Sequence, residues 1–360
     1  MKPYKIVFIH SLNNYTGSPN ALSVLIKSMV KKGYQVELIT SRGEGFLSAL
    51  EGVSYRYTCY QWSDNKLKVL LLLLLSQLQL FVFLLFAPKK DTIYYINTIV
   101  PFGAALACRL TGKTSVYHVH ENMQQQKVVY HLFRAAYRIC NRKSIFVSNY
   151  LKETALNCKG GTVVYNALNG TFEEVAERYL QRPVNEKSTI LMVTSLRRFK
   201  GVYEFAELAR RMPQYPFELV VNATNEEVAI FRNEIGSIKN LSVYPSQKNL
   251  HPFYQRAKLL LQLSHPESCV ETFGLTILEA MVYGVPSIAP NVGGPVELVD
   301  NDTNGYTVNP HDIPSIIEEI KLLMEDEGLY QQFSEAALRK SAHFSEQTMT
   351  QTIENYIISQ

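Results

Sequence analysis

Short apolar runs alternate with longer, mixed apolar and polar stretches along this chain. Runs at 5–10, 35–40, 92–96, 115–120 and 144–147 are dense in Ile, Val, Leu, Tyr and Phe and predict strands. A second series follows at 189–194, 217–222, 241–244, 258–263 and 286–289. Strands that alternate with helical patterns imply βα units, parallel sheets and right-handed crossovers. A polar stretch, 169–188, separates the two series and carries Glu173, Glu174, Glu177, Arg178, Arg182 and Pro183. It predicts the linker between an N-terminal domain over 1–170 and a C-terminal domain over 185–344. A length of 360 residues also suggests two cores. The fold expected is α/β, with two doubly wound, Rossmann-like domains facing a ligand cleft at the carboxyl ends of their strands.

One segment departs from the alternation. From 69 to 87 the only polar residues are Ser76, Gln77 and Gln79, and lysines flank it at Lys66, Lys68, Lys89 and Lys90. Its ~19 residues reach the lower limit for spanning a bilayer. A crossing there would divide one sheet between two sides of a membrane, so a peripheral, interfacial helix is the preferred reading over a span. A purely buried helix is the other alternative, but the run is apolar on nearly all faces, more than one side of a sheet covers. Tyr57, Tyr60 and Trp62 just before it suit an interface. Lys127, His131, Arg134, Arg138 and Arg142 form a basic stripe at helical spacing, able to meet an anionic membrane surface or simply to be solvated.

Composition narrows the function. The chain is 46% hydrophobic and 19% charged with a formal charge of +4, and it has no basic tail or nucleic-acid motif, so nucleic acid is excluded as a partner. Five cysteines without a C-x-x-C read as reduced, buried thiols of a cytoplasmic protein. The N-terminus opens directly as a strand, with too short an apolar run for a signal peptide.

The candidate chemistry centres on 264–286, with Glu271 and Glu279 as its carboxylates. A helix predicted over 276–283 puts Glu271 ahead of it and Glu279 within it. Eight residues at ~1.5 Å each separate them by roughly 12 Å. A glycoside-hydrolase pair needs roughly 5–9.5 Å, so the two suit gripping separate parts of one extended ligand. Backbone N–H groups of Phe273, Gly274 and Leu275 between them would open the helix and attract phosphate. The β1 turn after His10 has one glycine, Gly17, followed by Ser18; the G-x-G-x-x-G of a nicotinamide dehydrogenase is missing. Gly17 either lets a backbone N–H approach a phosphate or acceptor, or simply opens a helix. His118 and His120 share one face of a strand and end it at the carboxyl edge. Glu121 follows and could cap the next segment. His-x-His lacks a nearby third ligand, and no Asp-x-Asp stands where a sugar-binding metal would be expected, so no metal set is read.

Glu271-x7-Glu279, the Gly284-Val-Pro286 strand entry, Gly293-Gly294-Pro-x-Glu297 and Asn304-Gly305 fall in one register. That pattern resembles the retaining nucleotide-sugar glycosyltransferases of family four, or group 1. The resemblance covers the whole chain and implies the GT-B fold, with the last helix (345–360) packing back on the first domain. It implies a metal-independent retaining hexosyltransferase without cofactor, in which the departing phosphate helps take the acceptor's proton. Carried over, Glu271 holds donor-sugar hydroxyls, Glu279 the ribose hydroxyls, Lys200 the diphosphate, and His120 faces the sugar. The family's arginine position holds Ser195, which leaves Arg197 or Arg198 as its substitute. The expected donor is a nucleotide-diphosphate sugar and the acceptor a glycan or polyprenyl-diphosphate-linked glycan of a capsule, O-antigen or exopolysaccharide. The chain would then work on the inner face of the cytoplasmic membrane. A GT-B sugar-nucleotide epimerase and a non-catalytic nucleotide-sugar-binding module are the alternatives.

Overall fold

The computed structural model describes residues 5–63, 65–122, 127–140, 143–155, 160–180 and 187–358. The chain divides into two compact units, Met1–Ala167 with Glu346–Gln360, and Leu168–Ser345. Unit 1 runs β1 (Lys5–Ile9), α1 (Gly17–Lys31), β2 (Gln35–Ser41), β3 (Val53–Thr58), α2 (Lys66–Leu85), β4 (Thr92–Asn97), α3 (Phe102–Thr111), β5 (Thr114–Val119), α4 (Lys127–Cys140), β6 (Ser144–Phe146), α5 (Asn149–Thr154) and β7 (Thr162–Val163). Its seven strands are all parallel in the order β3-β2-β1-β4-β5-β6-β7.

Unit 2 runs α6 (Gly170–Leu180), β8 (Thr189–Ser195), α7 (Val202–Arg211), β9 (Phe217–Asn222), α8 (Asn225–Ile235), β10 (Leu241–Tyr244), α9 (His251–Arg256), β11 (Ala257–Leu261), α10 (Leu275–Met281), β12 (Ser287–Pro290), α11 (Pro295–Leu298), β13 (Gly305–Val308), α12 (Ile313–Glu325) and α13 (Glu327–Ser341). Its six parallel strands are ordered β10-β9-β8-β11-β12-β13. The last helix, α14 (Glu346–Ile358), packs on α1 in unit 1. There Met349, Ile353 and Ile357 join the core of Ile6, Phe8, Leu25 and Ile26. Unit 2 has a separate core built on Ile190, Met192, Phe205, Phe217, Leu259 and Ile288.

Burial explains why the central strands are apolar runs: in a parallel sheet with helices on both faces, both strand faces are covered. In each unit the strand order reverses direction once, between β1 and β4 in unit 1 and between β8 and β11 in unit 2. Such switch points open a crevice at the carboxyl ends of the two strands.

The structure differs from the sequence reading in several elements. The 169–188 stretch is not simply a linker, because 170–180 forms α6. That helix packs on α9, buries Ala176 and leaves Glu174, Glu177 and Arg178 exposed, which is why it reads as polar. The strands β3, β7 and β13 were not expected. The helix over 276–283 is shifted, running from Leu275 to Met281. The thiols are not all buried: Cys59 is exposed and Cys269 half-buried, while Cys108 and Cys140 are buried; Cys158 lies outside the described residues.

The apolar segment is not a buried helix. In α2 it is the polar Ser76 and Gln77 that turn inward, with Leu80 and Leu84, while Leu67, Leu70, Leu71, Leu74, Leu75, Leu78 and Val82 are exposed. Gln77 Oε1 accepts the Gly103 N–H at 3.1 Å and Gln79 Oε1 accepts the Cys59 N–H at 2.9 Å. Hydrogen bonds thus fasten the polar face to unit 1 and leave leucines outward. Phe86 and Trp62 beside it are 82% and 69% exposed. On length and composition α2 could cross a membrane. In the basic stripe His131 and Arg138 are exposed and Arg134 is half-buried. The Lys127 side chain and Arg142 lie outside the described residues.

Candidate functional site

Each unit concentrates polar side chains at its switch point. In unit 2, β8 ends at Ser195 and a single 3-10 turn, Arg198–Lys200, follows before α7. Gly201 closes that turn at φ 79°, and a Cβ there would lie 2.3 Å from the Leu263 carbonyl oxygen. Only glycine lets the Lys200 turn rest on the end of β11. The neighbouring strand end carries the 264–271 loop, and the two meet where Lys200 Nζ bonds Glu271 Oε2 at 2.9 Å.

Gln262 Nε2 donates to the same Glu271 oxygen at 3.3 Å and to Ser264 Oγ at 2.9 Å. The Lys200 ammonium holds the Glu271 carboxyl below its usual range against the opposing effect of burial. Burial works against the ammonium in turn, but Glu271 outweighs it and leaves Lys200 above the ordinary lysine range. Both groups are therefore charged at neutral pH. Behind them the Gly294 N–H donates to the Glu271 carbonyl at 2.8 Å. A Cβ on Gly294 would meet Thr272 O at 2.3 Å, so the glycine pair is needed to let this turn approach the 271–273 backbone.

Glu279 sits on α10 in a different setting. Tyr254 donates its hydroxyl to Glu279 Oε2 at 2.5 Å. Tyr283 stacks on Tyr254 with ring centroids 5.8 Å apart, and His251 Nδ1 lies 2.6 Å from the Tyr283 hydroxyl. Loss of hydration pushes the Glu279 carboxyl up to about 7, with the Tyr254 hydrogen bond opposing. The two glutamates named by the motif are thus unlike: Glu271 is ion-paired, and Glu279 is poised to titrate. Phe273 is buried, and Gly274 and Leu275 open α10, so the three expected backbone donors do lie at a helix start. Arg197 and Arg198 are both exposed, and the Arg198 guanidinium lies over the Tyr203 ring at 4.9 Å.

In unit 1 the sheet register sets Ile9 beside Ile96, and Asn97 beside His118. The side chains that follow these strands form a chain: Asn97 Oδ1 accepts from His120 Nε2 at 2.9 Å while Asn97 Nδ2 donates to His10 Nδ1 at 3.0 Å. The His118 and His120 rings lie 4.1 Å apart, and the Tyr95 hydroxyl and His118 Nδ1 share a hydrogen bond of 2.7 Å. All three histidines are buried. Burial pushes His10 down to about 4 and His118 down to about 3, and lowers His120 well below its usual value. The cluster is neutral at physiological pH. Glu121 beyond it is pushed up to about 7 by burial. The segment it was expected to cap, 123–126, lies outside the described residues. Gly17 is exposed and opens α1, without a capping side chain at Thr16.

Sequence reasoning did not find His10, Asn97, Gln262 or Tyr254, whose roles come from strand register and packing. It also read no metal-ligand set, whereas Glu204, His265 and His311 come together in unit 2.

Comparison with known proteins bears on the same half of the chain. Residues 177–340 match the family described as "Glycosyl transferases group 1". The D-inositol 3-phosphate glycosyltransferase of Corynebacterium aurimucosum is 29% identical over 209 residues, 54% of this chain and 48% of that protein. Probable sucrose-phosphate synthase 5 of Oryza sativa subsp. japonica is 40% identical over 76 residues, 21% of this chain and 8% of that protein. The chain spans at most about half the length of these curated relatives. Among solved structures, HepE of Anabaena in complex with UDP and glucose superposes with a TM-score of 0.78 at 21% identity, covering 99% of this chain and 100% of that one. The sucrose-phosphate synthase of Thermosynechococcus elongatus gives 0.80 at 16% identity, covering 98% of both chains. The fold is GT-B.

Proposed function

We propose, from the match of residues 177–340 to the group 1 glycosyl transferases, that the protein moves a sugar from a nucleotide-diphosphate sugar to a glycan acceptor. The observation that carries this reading is the Lys200–Glu271 pair at the β8/β11 switch point, with Glu279 on the adjoining helix. Lys200 would neutralise the diphosphate as the sugar–phosphate bond breaks, the moment at which negative charge develops. Glu271 would then be released to accept donor-sugar hydroxyls, and Glu279 would take the ribose hydroxyls. The similar HepE structure holds UDP and glucose, which agrees with such a donor.

The transfer is proposed to retain anomeric configuration and to need no metal ion or cofactor. On this reading the protein supplies positioning and electrostatics. His120, neutral and donating from Nε2 to Asn97, would face the donor sugar through its remaining ring edge. Replacing Glu279 by Ala is expected to abolish donor hydrolysis and transfer while the circular dichroism spectrum stays unchanged. Normal turnover in that variant would reject the assignment.

The acceptor is proposed to be lipid-linked, in cell-surface polysaccharide synthesis at the cytoplasmic face of the membrane. Support comes from α2, whose leucines face outward and whose polar residues are fastened inward. Insertion of such a face into a bilayer interface recovers the hydrophobic free energy of leucines now in water, and flanking lysines would meet anionic headgroups. Sedimentation with vesicles containing anionic lipid is expected to carry the protein down, and Leu71→Ser with Leu75→Ser to leave most of it in the supernatant. Equal sedimentation of both proteins would remove the membrane from the account.

A further inference from the structure

Three loops of unit 2 converge beside the Lys200 turn. Glu204 stands in the first turn of α7, His265 follows β11, and His311 follows β13. One ligand atom from each lies within 4.8 Å of the other two. His265 is 8% exposed and is held from behind by its backbone N–H, which donates to the Phe199 carbonyl at 2.8 Å.

The polar atoms of this cluster are not satisfied by one another. His265 Nε2 lies 3.1 Å from Glu204 Oε1, yet the two lack the alignment of a hydrogen bond. Both His265 Nε2 and Glu204 Oε2 are buried without a hydrogen-bond partner. Buried polar atoms left this way are costly, and in native folds they commonly mark a bound water or ion. The His265 and His311 rings lie 4.3 Å apart, a close approach for two imidazoles with no donor between them. Glu267 sits at the rim, its Oε1 2.8 Å from His311 Nε2 and 3.8 Å from His265 Nδ1.

We infer that Glu204, His265 and His311 form a site for one divalent transition-metal ion of the zinc type. Zinc bonds imidazole nitrogen at about 2.0–2.1 Å and carboxylate oxygen at about 2.0–2.2 Å, which sets tetrahedral ligand atoms roughly 3.3–3.5 Å apart. The separations in this cluster need only side-chain adjustment to reach that spacing. Two imidazoles select against magnesium and calcium, which take oxygen ligands. The fourth position falls to Glu267 or to water. The ion would be structural: it would tie the start of α7, the 264–271 loop and the β13–α12 turn together, and so fix the two segments that carry Lys200 and Glu271. It takes no part in the transfer step, and the inference does not rest on the proposed glycosyl transfer.

Cobalt(II) titration of chelator-treated protein tests it, with visible ligand-field bands as the signal and zinc competition as the control. One equivalent per chain is expected to bind, and added zinc to remove the bands. Glu204→Gln is nearly isosteric and His311 is exposed, so both variants are expected to fold, as far-UV circular dichroism would verify. Each should weaken cobalt binding at least about tenfold, the lower end of what even outer partners of a metal site contribute. His343→Ala, outside the cluster, should bind as wild type. Absence of the bands, or bands that Glu204→Gln and His311→Ala both leave unchanged, would overturn the site.

Discussion

The two switch points of this molecule solve the same geometrical problem with opposite electrostatics. In unit 2 a lysine and a glutamate meet as ions, each holding the other charged. In unit 1 three histidines and an asparagine meet as neutral groups, kept so by burial. An ion pair near a crevice can be redistributed when an anionic ligand arrives, because the ligand replaces the carboxylate as the lysine's partner. A neutral, hydrogen-bonded histidine chain has no such freedom and acts by shape and directed dipoles. The unit 2 switch point is thus equipped for charged ligand groups and the unit 1 switch point for uncharged ones.

The first way to break that comparison is to cut the neutral chain at its centre. Asn97→Ala leaves His10 Nδ1 and His120 Nε2 buried without the partner each now has. A loss of about 1–3 kcal/mol is expected for each group stranded in this way, read by urea denaturation. A change below about 0.5 kcal/mol would mean that the chain is not cooperative.

A smaller and more discriminating effect is the dependence of stability on pH. Buried His10 and His118 titrate near 6.5 in the unfolded chain and near 4 and 3 when folded, so between those values the unfolded chain binds more protons. Their contribution to stability is present above about pH 6.5 and is lost as pH falls. Glu279 has the opposite sign: its folded value of about 7 exceeds the unfolded 4.5, so its contribution is present at low pH and is lost as pH rises towards 7. Glu279→Gln should therefore make stability rise more steeply with pH between 5 and 7 than in the wild type. An unchanged slope would show that Glu279 ionises at its ordinary pH.

Legibility in the sequence followed burial. The strands beside each switch point are continuous apolar runs because both faces are covered, and they were readable at once. β3 was not: Val53-Ser-Tyr-Arg-Tyr-Thr58 lies at a sheet edge, and its mixed burial dilutes the apolar signal. α6 reads as a linker because only a narrow face packs. Glu271 and Glu279 stand out in the sequence because a local spacing carries them, and Lys200 because the family resemblance does. His10 and Asn97 do not, since the register of β1 against β4 joins them across a long loop. Glu204, His265 and His311 come from three separate βα connections, and no local pattern links them. The outward leucines of α2 were legible as an excess of apolar residues. The inward turn of Ser76 and Gln77 needed the structure.

The central claim is that the unit 2 switch point, and not the histidine chain of unit 1, recognises the diphosphate. Titration calorimetry of a panel of nucleoside diphosphates against Lys200→Ala and His120→Ala, each beside the wild type, tests it most directly. The account predicts that Lys200→Ala weakens the best-bound diphosphate at least about tenfold and lowers turnover by about 10²–10³, whereas His120→Ala binds it within about twofold and loses turnover only. Equal loss of diphosphate affinity in both variants would contradict it.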